Sequence, residues 1–549
     1  MTDDGIPTDP DQRDAAPLEV AGASADATTR RRPVLRISRD GADTAPTVAP
    51  RSRRGALSAA TARPRNTLAV ALLGLAVLVG GAAVLTPTAT VAETAPRPEP
   101  VASTELVCPV TTATAALTST VVAGVAPLES VTTGVATLAN LATKSEASAP
   151  PLVIREPGAS VARVISGKPG RALLGRATGS FAQGFGADQT IRSGQGATRG
   201  LAAAPCARPV TDAWLVGGGS TVGRLTQVLL VNDDDRAAQV DLLLYGAGGQ
   251  LSSPAGQGIV LAPGSRRQVR LDALAPNQPY LAVHVVARSG RIGVLGLDQQ
   301  AIGLVPLGMA LIPASEASTR LVVPAVPEPV RVAVLSLLSP DVDTTVDLTL
   351  LTPDGSVVPT GISTVTLPAG RIVPVRVEAA LAGVTSGLLL TSDTPVVAGV
   401  EVGTGSTGML REHDATGPGP ALTAPGIVVG LAGLPLRHTV NLTAPDAAAT
   451  VRLDLYVPGA AAATWSRTVT IAAGSLGAVA IPVTTPTAQS MLVVTPLGGG
   501  PVYASRTVTE AGARGPMIAL APIYPQRATT LVPAVVSQPG SSVAGMSHR

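Results

Sequence analysis

The hexapeptide VDLLLY at residues 240–245 recurs as VDLTLL at residues 346–351 and as VRLDLY at residues 451–456. Large apolar residues stand at every second position, which is the period of a strand with one buried face. The copies are spaced by about 105 residues, too far apart for propeller blades of about 40–50 residues and suitable for an immunoglobulin-like sandwich. We therefore predict an all-β fold of tandem immunoglobulin-like β-sandwich repeats.

Further strands repeat with the same spacing. LAPG at residues 261–264 is followed by VRL at residues 269–271. The matching pieces are LPAG at 367–370 with VRV at 375–377, and IAAG at 471–474 with VAI at 479–481. Glycine and proline separate these pieces, as they do in antiparallel sandwiches, and no amphipathic run of helical length appears after residue 85. The pattern therefore predicts strands throughout this part of the chain.

One more strand, LVVPAV at residues 321–326, has relatives near residues 214–216, near 427–429 and at 531–535. The last copy stands too near the C-terminus to open another domain, so we predict that this strand closes the module before it. The predicted units are a divergent disulfide-bearing β domain at 104–220, sandwich repeats at 221–327, 328–430 and 431–536, and a flexible tail at 537–549. Irregular loops, which often carry function, are predicted before the closing strands at 299–318, 404–420 and 511–529.

Residues 67–85, TLAVALLGLAVLVGGAAVL, match the length of about 20 apolar residues that a helix needs to cross a bilayer. Arginines cluster on the N-terminal side, and flanking positive charge stays cytoplasmic. We predict an uncleaved signal anchor in the cell membrane, with 1–66 as a disordered cytoplasmic tail and everything after the span extracytoplasmic. Residues 86–103 are predicted to be an extended Pro/Thr-rich spacer that carries a rod of β-sandwiches. A cleaved signal peptide and a buried core helix are the alternatives.

The basic composition does not indicate nucleic acid as a partner. The chain has 40 basic and 37 acidic residues, and only Lys144 and Lys168 are lysines. Arginines concentrate in the first 66 residues, and charges nearly balance in the remainder. Aromatic residues make up only 2% of the chain, which leaves few rings for base stacking. Nucleic-acid binding is therefore not predicted.

Cys108 and Cys206 are the two cysteines of the chain. Both lie on the predicted outer side, where an isolated pair is most simply a disulfide. Free thiols or a metal site are weaker alternatives, because no CxxC pair or nearby histidine supports metal binding. We predict the bond Cys108–Cys206.

The other motifs that suggest a binding or catalytic site also have simple structural explanations. GTGSTG at residues 403–408 fits GxGxxG, but it precedes no helix within a βαβ unit. NDDD at residues 232–235 suggests calcium, yet the related copies keep one acid each, Asp341 and Asp446, and aspartate also suits a hairpin turn. The four histidines, His284, His413, His438 and His548, are scattered, and there is no GxSxG elbow. We predict no catalytic residue, no cofactor and no metal site.

The chain resembles a known family in three stretches: Cys206 with DAWLVGG at residues 212–218, LLVN at 229–232, and LAPGS at 261–265. These are similar to stretches in uncharacterised single-pass membrane proteins of actinobacteria, a domain of unknown function with extracytoplasmic β-sandwich repeats. The resemblance implies a cell-envelope location. It carries over no catalytic residues, since the family has no established activity.

We therefore predict a non-enzymatic, membrane-anchored cell-envelope protein whose modules interact with an envelope protein or with wall glycan. A lectin-like glycan-binding protein is the first alternative, although sugar-stacking rings are limited to Trp214, Trp465 and five tyrosines. An enzyme acting on envelope glycan is the second alternative.

Overall fold

A computed structural model of the chain describes residue 74 and residues 97–109, 117–141, 149–166, 171–196, 198–405, 411–487, 489–512 and 515–532. The chain forms two compact units, residues 1–90 and 91–549. Of the predicted transmembrane segment 67–85, only Gly74 is described, and it is helical. Within the described ranges, no helix is long and apolar enough to cross a membrane.

The second unit is all-β, as predicted, and its strands fall into four modules. The strands of module 1 are β2 (Ser103–Cys108), β3 (Thr118–Val125), β4 (Gly134–Asn140), β5 (Leu152–Ile154), β6 (Ser160–Ser166), β7 (Leu173–Gly179), β8 (Phe185–Ser193) and β9 (Gly200–Pro205). The strands of module 2 are β10 (Asp212–Val216), β11 (Arg224–Asn232), β12 (Ala238–Gly246), β13 (Gly249–Leu251), β14 (Ile259–Leu261), β15 (Ser265–Arg270), β16 (Ala282–Ser289), β17 (Gly293–Ile302) and β18 (Val305–Pro313).

The other two modules continue the series. The strands of module 3 are β19 (Ser318–Val326), β20 (Val332–Leu338), β21 (Thr344–Thr352), β22 (Gly355–Val357), β23 (Thr364–Leu367), β24 (Ile372–Arg376), β25 (Ser386–Thr404) and β26 (Glu412–Thr416). The strands of module 4 are β27 (Gly426–Leu431), β28 (Leu436–Ala444), β29 (Ala449–Tyr456), β30 (Trp465–Ile471), β31 (Ser475–Ile481), β32 (Ser490–Gly499), β33 (Tyr503–Glu510) and β34 (Met517–Ile523). Short helical turns are α1 (Phe181–Gly184), α2 (Leu271–Leu274), α3 (Glu378–Leu381) and a 3₁₀ turn at Pro254–Gly256.

All four modules share one topology of eight strand positions in two antiparallel sheets. One sheet has the order 1-6-3-4 and the other the order 5-2-7-8, as in β27-β32-β29-β30 and β31-β28-β33-β34. Two short strands share position four in modules 2 and 3, and the long strand β25 serves as positions six and seven of module 3. In a constant-type immunoglobulin domain the first two strands share a sheet. Here they lie in opposite sheets, so the sandwich-like prediction is confirmed but the immunoglobulin strand order is not seen.

The repeated hexapeptides occupy position three in their modules. Their alternate apolar residues are at most 3% exposed and lie in the module cores. These residues are Val240, Leu242 and Leu244 in module 2, Val346, Leu348 and Leu350 in module 3, and Val451, Leu453 and Leu455 in module 4. The predicted divergent domain, residues 104–220, contains strands β2 to β9, which form a fourth copy of the same topology with Phe181 and Phe185 in its core.

The predicted module boundaries at 220, 327 and 430 are wrong. Strand β19, which contains residues 321–326, pairs with β25 of module 3, so it opens that module. Likewise β10 pairs with β16, and β27 pairs with β32. The predicted irregular loops 299–318, 404–420 and 511–529 instead contain β18, β26 and β34, the eighth strands of modules 2, 3 and 4.

The last copy of the opening strand pairs with the first strand of the unit. Strand β1 (Arg97–Pro100) is antiparallel to β35 (Thr529–Val532), with Arg97 opposite Val532. The backbone N–H of Val101 extends this ribbon by donating to Ala528 O at 3.0 Å. The predicted spacer 86–103 therefore ends in strand structure, and module 4 ends at β34 instead of residue 536.

The modules pack in a ring, which replaces the predicted rod. The eighth strands β9, β18, β26 and β34 form a closed cycle of contacts, since β34 also packs against β9. Apolar clusters fill the interfaces: Leu229 and Leu295 with Ile191 between modules 2 and 1, and Val508 and Met517 with Leu201 between modules 4 and 1. The last interface closes the ring.

Candidate functional site

The central strands of the ring run between two distinct ends. At the hairpin end, position seven turns into position eight between residues 193 and 200, 302 and 305, 404 and 412, and 510 and 517. At the linker end, the chain leaves position eight after residues 205, 313 and 416 to enter the next module, and after residue 523 to reach β35. Because the seventh and eighth strands span this distance, the two ends are opposite one another.

The hairpin end contains a buried ionic cluster, which we call the hub: Arg199, Arg224, Asp298, Glu401, Glu412, His413 and Asp414. Its centre is β26, whose residues are all buried. Glu412 accepts hydrogen bonds from Arg199 Nη1 and from the backbone N–H of Leu201, both at 2.9 Å. Burial raises the pKa of Glu412 to about 8, although Arg199 opposes the shift. Glu412 thus ties module 3 to module 1.

The next residue of β26 contacts module 2. His413 Nε2 lies 2.8 Å from Asp298 Oδ2, and Asp298 also accepts from Arg224 Nη2 at 2.8 Å and Thr226 Oγ1 at 2.5 Å. Burial disfavours the charged form of Asp298, but Arg224 and His413 outweigh it and hold the pKa of that carboxyl below its usual range. Arg224 also donates to Glu401 of module 3 at 2.6 Å.

Asp414 contacts module 4. Its Oδ2 accepts the backbone N–H of Leu520 in β34, and burial raises the pKa of Asp414 well above its ordinary value. Arg199 completes the link, since its Nη2 donates to Gly515 O at 2.7 Å. Three consecutive ionisable residues of β26 therefore bind three different modules, and the hub fastens the ring together.

The linker end contains a cavity of about 850 Å³, which we call the linker cavity. All four modules and the four segments that follow their eighth strands contribute to its wall. Its charged lining residues are Asp188, Arg208, Glu316, Arg320, Arg506 and Arg527. Tyr503, Tyr524 and Gln526 add polar groups. Arginines thus outnumber carboxylates in the wall.

Arg506 is the deepest of these charges. Its side chain is 2% exposed, and Nη1 donates to Val429 O at 3.4 Å. Nε and Nη2 have no hydrogen-bond partner among the described residues. Asp188 lies near enough to offset part of the charge, while its Oδ2 accepts the Val429 N–H at 2.7 Å. Burial raises the pKa of Asp188, although Arg506 opposes that shift.

Arg208 lies in the linker between modules 1 and 2. Burial and the like charge of Arg527 lower its pKa to about 10, and no described carboxylate offsets them. The predicted disulfide Cys108–Cys206 is present and anchors this linker, with a Cα–Cα distance of 4.6 Å. Ala207 N–H donates to Val107 O at 2.8 Å, which holds the neighbouring residue to β2. Arg208 is thus attached to a fixed segment of the cavity wall.

The acidic turn at residues 232–235 has turn geometry. The backbone N–H of Asp234 donates to Asn232 Oδ1 at 3.1 Å, and Asn232 Nδ2 donates to Arg236 O at 2.7 Å. The side chain that contacts the backbone in this turn is therefore that of Asn232 and not that of an aspartate. Across the described residues, no group of three or more His, Cys, Asp or Glu side chains could hold a metal.

The remaining candidates are separated in the fold. His284 lies 2.7 Å from Asp212 and stacks on Trp214, with ring centroids 4.2 Å apart. Trp214 is only 3% exposed and packs between modules 2 and 3. His438 is buried, and its pKa falls to about 4 because of burial and Arg506.

The glycine motif 403–408 lies only partly in the described part of the chain. Gly403 and Thr404 end β25, and residues 406–410 lie outside the described residues, as does His548. The hub residues Glu412 and Asp414 and the cavity arginines Arg208 and Arg506 were not predicted as a site. For Glu412 and Asp414 the only local signal is the run of charges in β26, and Arg208 and Arg506 have no local signal.

Fold and site together define an all-β protein of four sandwich-like modules closed around an axis, with buried charge at both ends. A family of unknown function (DUF5719) matches residues 161–482, which is more than half of the chain, and the protein belongs to this family. The match begins in module 1 and ends in module 4, so it crosses three module interfaces. The predicted resemblance to a family without known function is thereby confirmed. No curated protein matches the chain.

Proposed function

We propose that this protein is a non-enzymatic, membrane-anchored component of the cell envelope that binds a ligand or partner in the linker cavity. One observation supports the proposal above all: a single cavity of about 850 Å³ is built jointly by all four modules. Ligand sites have volumes of about 300–1,000 Å³ and favour domain interfaces. A ring that converges on one such cavity is suited to recognition.

The envelope location is proposed from the sequence and the disulfide. The apolar segment 67–85, with arginines before it, favours a single span with the ring on the outer side. A buried disulfide such as Cys108–Cys206 suits an oxidising compartment. The partner on that side is proposed to be another envelope protein or wall glycan.

A lectin-like function is a second candidate, because Tyr503 and Tyr524 lie in the cavity wall and can contact a sugar. Trp214 does not contribute to such a site, since its side chain is 3% exposed. An enzyme acting on envelope glycan remains the less favoured proposal.

Site-specific photo-crosslinking in native membranes tests the binding role. A photoreactive residue replaces Thr423, an exposed residue of the cavity wall, and a matched control replaces Leu304, an exposed residue of the hairpin end. We expect adducts from position 423 and none from position 304. Equal labelling from both positions, or labelling from position 304 alone, would contradict the proposal.

The location is tested separately with protease-treated spheroplasts. We expect the ring to be degraded or trimmed and residues 1–66 to stay protected. Degradation of the N-terminal tail alone would reverse the proposed orientation.

A further inference from the structure

Positive charge in the linker cavity exceeds what the surrounding carboxylates neutralise. Of the four arginines in the wall, Arg320 forms an ion pair with Asp446. Asp188 offsets part of the charge of Arg506, and Glu316 is exposed at the margin. Arg208 and the exposed Arg527 both line the wall, close enough for the charge of Arg527 to act on Arg208, and neither forms an ion pair with a described carboxylate.

We propose that the linker cavity binds the oxyanion of a small ligand, phosphate or carboxylate, between Arg208 and Arg527, with Arg506 supplying positive charge behind them. This inference rests on the proposed binding function and specifies the chemistry of its ligand. The linker that bears Arg208 follows β9, whereas Arg527 follows β34, so the site requires the closed ring.

The charged form of Arg208 is unfavourable in the cavity wall without an anion. Burial and the charge of Arg527 both act against the protonated guanidinium of Arg208. An anion between the two side chains offsets both effects at once, because it restores solvation by hydrogen bonds and attracts both cations. Guanidinium groups have a planar fork of N–H donors that matches carboxylate and phosphate oxygens.

Arg506 adds a buried positive charge to the same cavity wall. The two nitrogens that lack partners, Nε and Nη2, share one edge of the guanidinium plane, whereas Nη1 on the other side contacts Val429 O. That edge has two parallel N–H bonds, but both nitrogens are themselves buried, so Arg506 acts on a ligand in the cavity through its charge and not through a direct contact. A buried charge with unused donors is costly, and an anion in the neighbouring cavity lowers that cost by Coulombic attraction.

Titration calorimetry with full-length protein in detergent tests the proposal. The probes are glucose 1-phosphate, glucuronate and uncharged glucose. We expect one or both anions to bind, with affinity that decreases as salt increases, and glucose to bind much more weakly. Binding of only the phosphate, or only the carboxylate, supports the proposal and identifies the source of the oxyanion. Equal binding of glucose, or no binding of either anion, overturns it.

Charge-removing variants locate the site. Arg208→Gln and Arg527→Gln should each weaken anion binding by roughly tenfold or more, because hydrogen bonds between charged groups are the strong ones. Arg376→Gln is the matched control, since Arg376 lies in β24 and pairs with Glu378 outside the cavity. Unchanged anion affinity in both cavity variants, with melting temperatures near that of the parent, would overturn the assignment.

The two proposals can fail independently. If crosslinking from position 423 captures a partner but neither anion binds, the binding role stands and the oxyanion site is wrong. If crosslinking also fails, the binding role is wrong as well.

Discussion

The two ends of the central axis handle buried charge in opposite ways. At the hairpin end, Glu412, His413 and Asp414 each contact a group on a different module. At the linker end, Arg208 has only a like charge nearby, and Arg506 has two unused donors. Paired buried charges fix the arrangement of the modules, whereas unpaired buried charges are available to interact with a ligand. The hairpin end therefore holds the modules together, and the linker end contains the proposed recognition site.

The largest expected effect comes from breaking the hub. At pH 9, above the pKa of Glu412, Arg199→Met leaves that carboxylate buried without its cation, and should lower the free energy of unfolding by about 3–5 kcal/mol. Denaturant unfolding measures the loss. The double variant Arg199→Met with Glu412→Gln removes the unpaired charge and should recover at least half of it. If the single variant is as stable as the parent, the hub does not fasten the ring.

The next effect concerns the cavity wall. Replacing Cys108 and Cys206 by serine removes the link between β2 and the linker that bears Arg208. We expect the free energy of unfolding to fall by about 2–4 kcal/mol. Anion affinity should fall as well, because Arg208 is no longer attached to a fixed segment. Reduced stability with unchanged affinity would show that the disulfide does not position the site.

A smaller effect is the pH dependence of the hub. The pKa of Glu412 is raised from 4.5 to about 8 in the folded protein, so the folded state holds its proton more tightly than the unfolded chain does. This contribution to stability is present below about pH 4.5 and is lost as the pH rises toward 8. Glu412→Gln should therefore flatten the decline of the unfolding midpoint between pH 5 and 8, whereas Glu316→Gln should not. Parallel pH profiles of the parent and Glu412→Gln would contradict the prediction.

The smallest effect is expected at the terminal ribbon. Residues of β1 and β35 are exposed along their whole length, so the loss of β35 on truncation after Ala528 uncovers little apolar surface. The melting temperature should change little, while residues 97–100 become sensitive to protease because their partner strand is gone. Loss of module 4 in the truncated protein would show instead that β35 supports that module.

Sequence periodicity predicted the cores well because the signal is local. Val240, Leu242 and Leu244 alternate within one strand, and the strand buries one face wherever it pairs. The disulfide was equally predictable from the sequence, since two cysteines allow only one pairing. The module boundaries could not be predicted in this way, because a periodic series of strands has the same pattern whichever strand is taken as the first of the repeat. Only the pairing of β19 with β25 determines which module that strand belongs to.

The site could not be predicted from the sequence for a related reason. Arg208 and Arg527 are far apart in the chain and line the same cavity only after the ring closes. Glu412 follows a glycine-rich stretch that suggests an exposed loop, yet its partners Arg199 and Leu201 belong to another module. Contacts between modules have no periodicity, so the residues that make them cannot be recognised from local patterns.

The pairing of β1 with β35 brings the two ends of the ring together, so no module has to be the first in the chain. Arg97 stands directly opposite Val532, so a short peptide could join the two ends of the ring. The turn at Gly303 and Leu304 is exposed and lies between β17 and β18, where new termini would interrupt no strand. A circular permutant that starts at Leu304 should therefore reach the same ring. The module that comes first in the chain is then one of several equivalent starting points for the same closed ring.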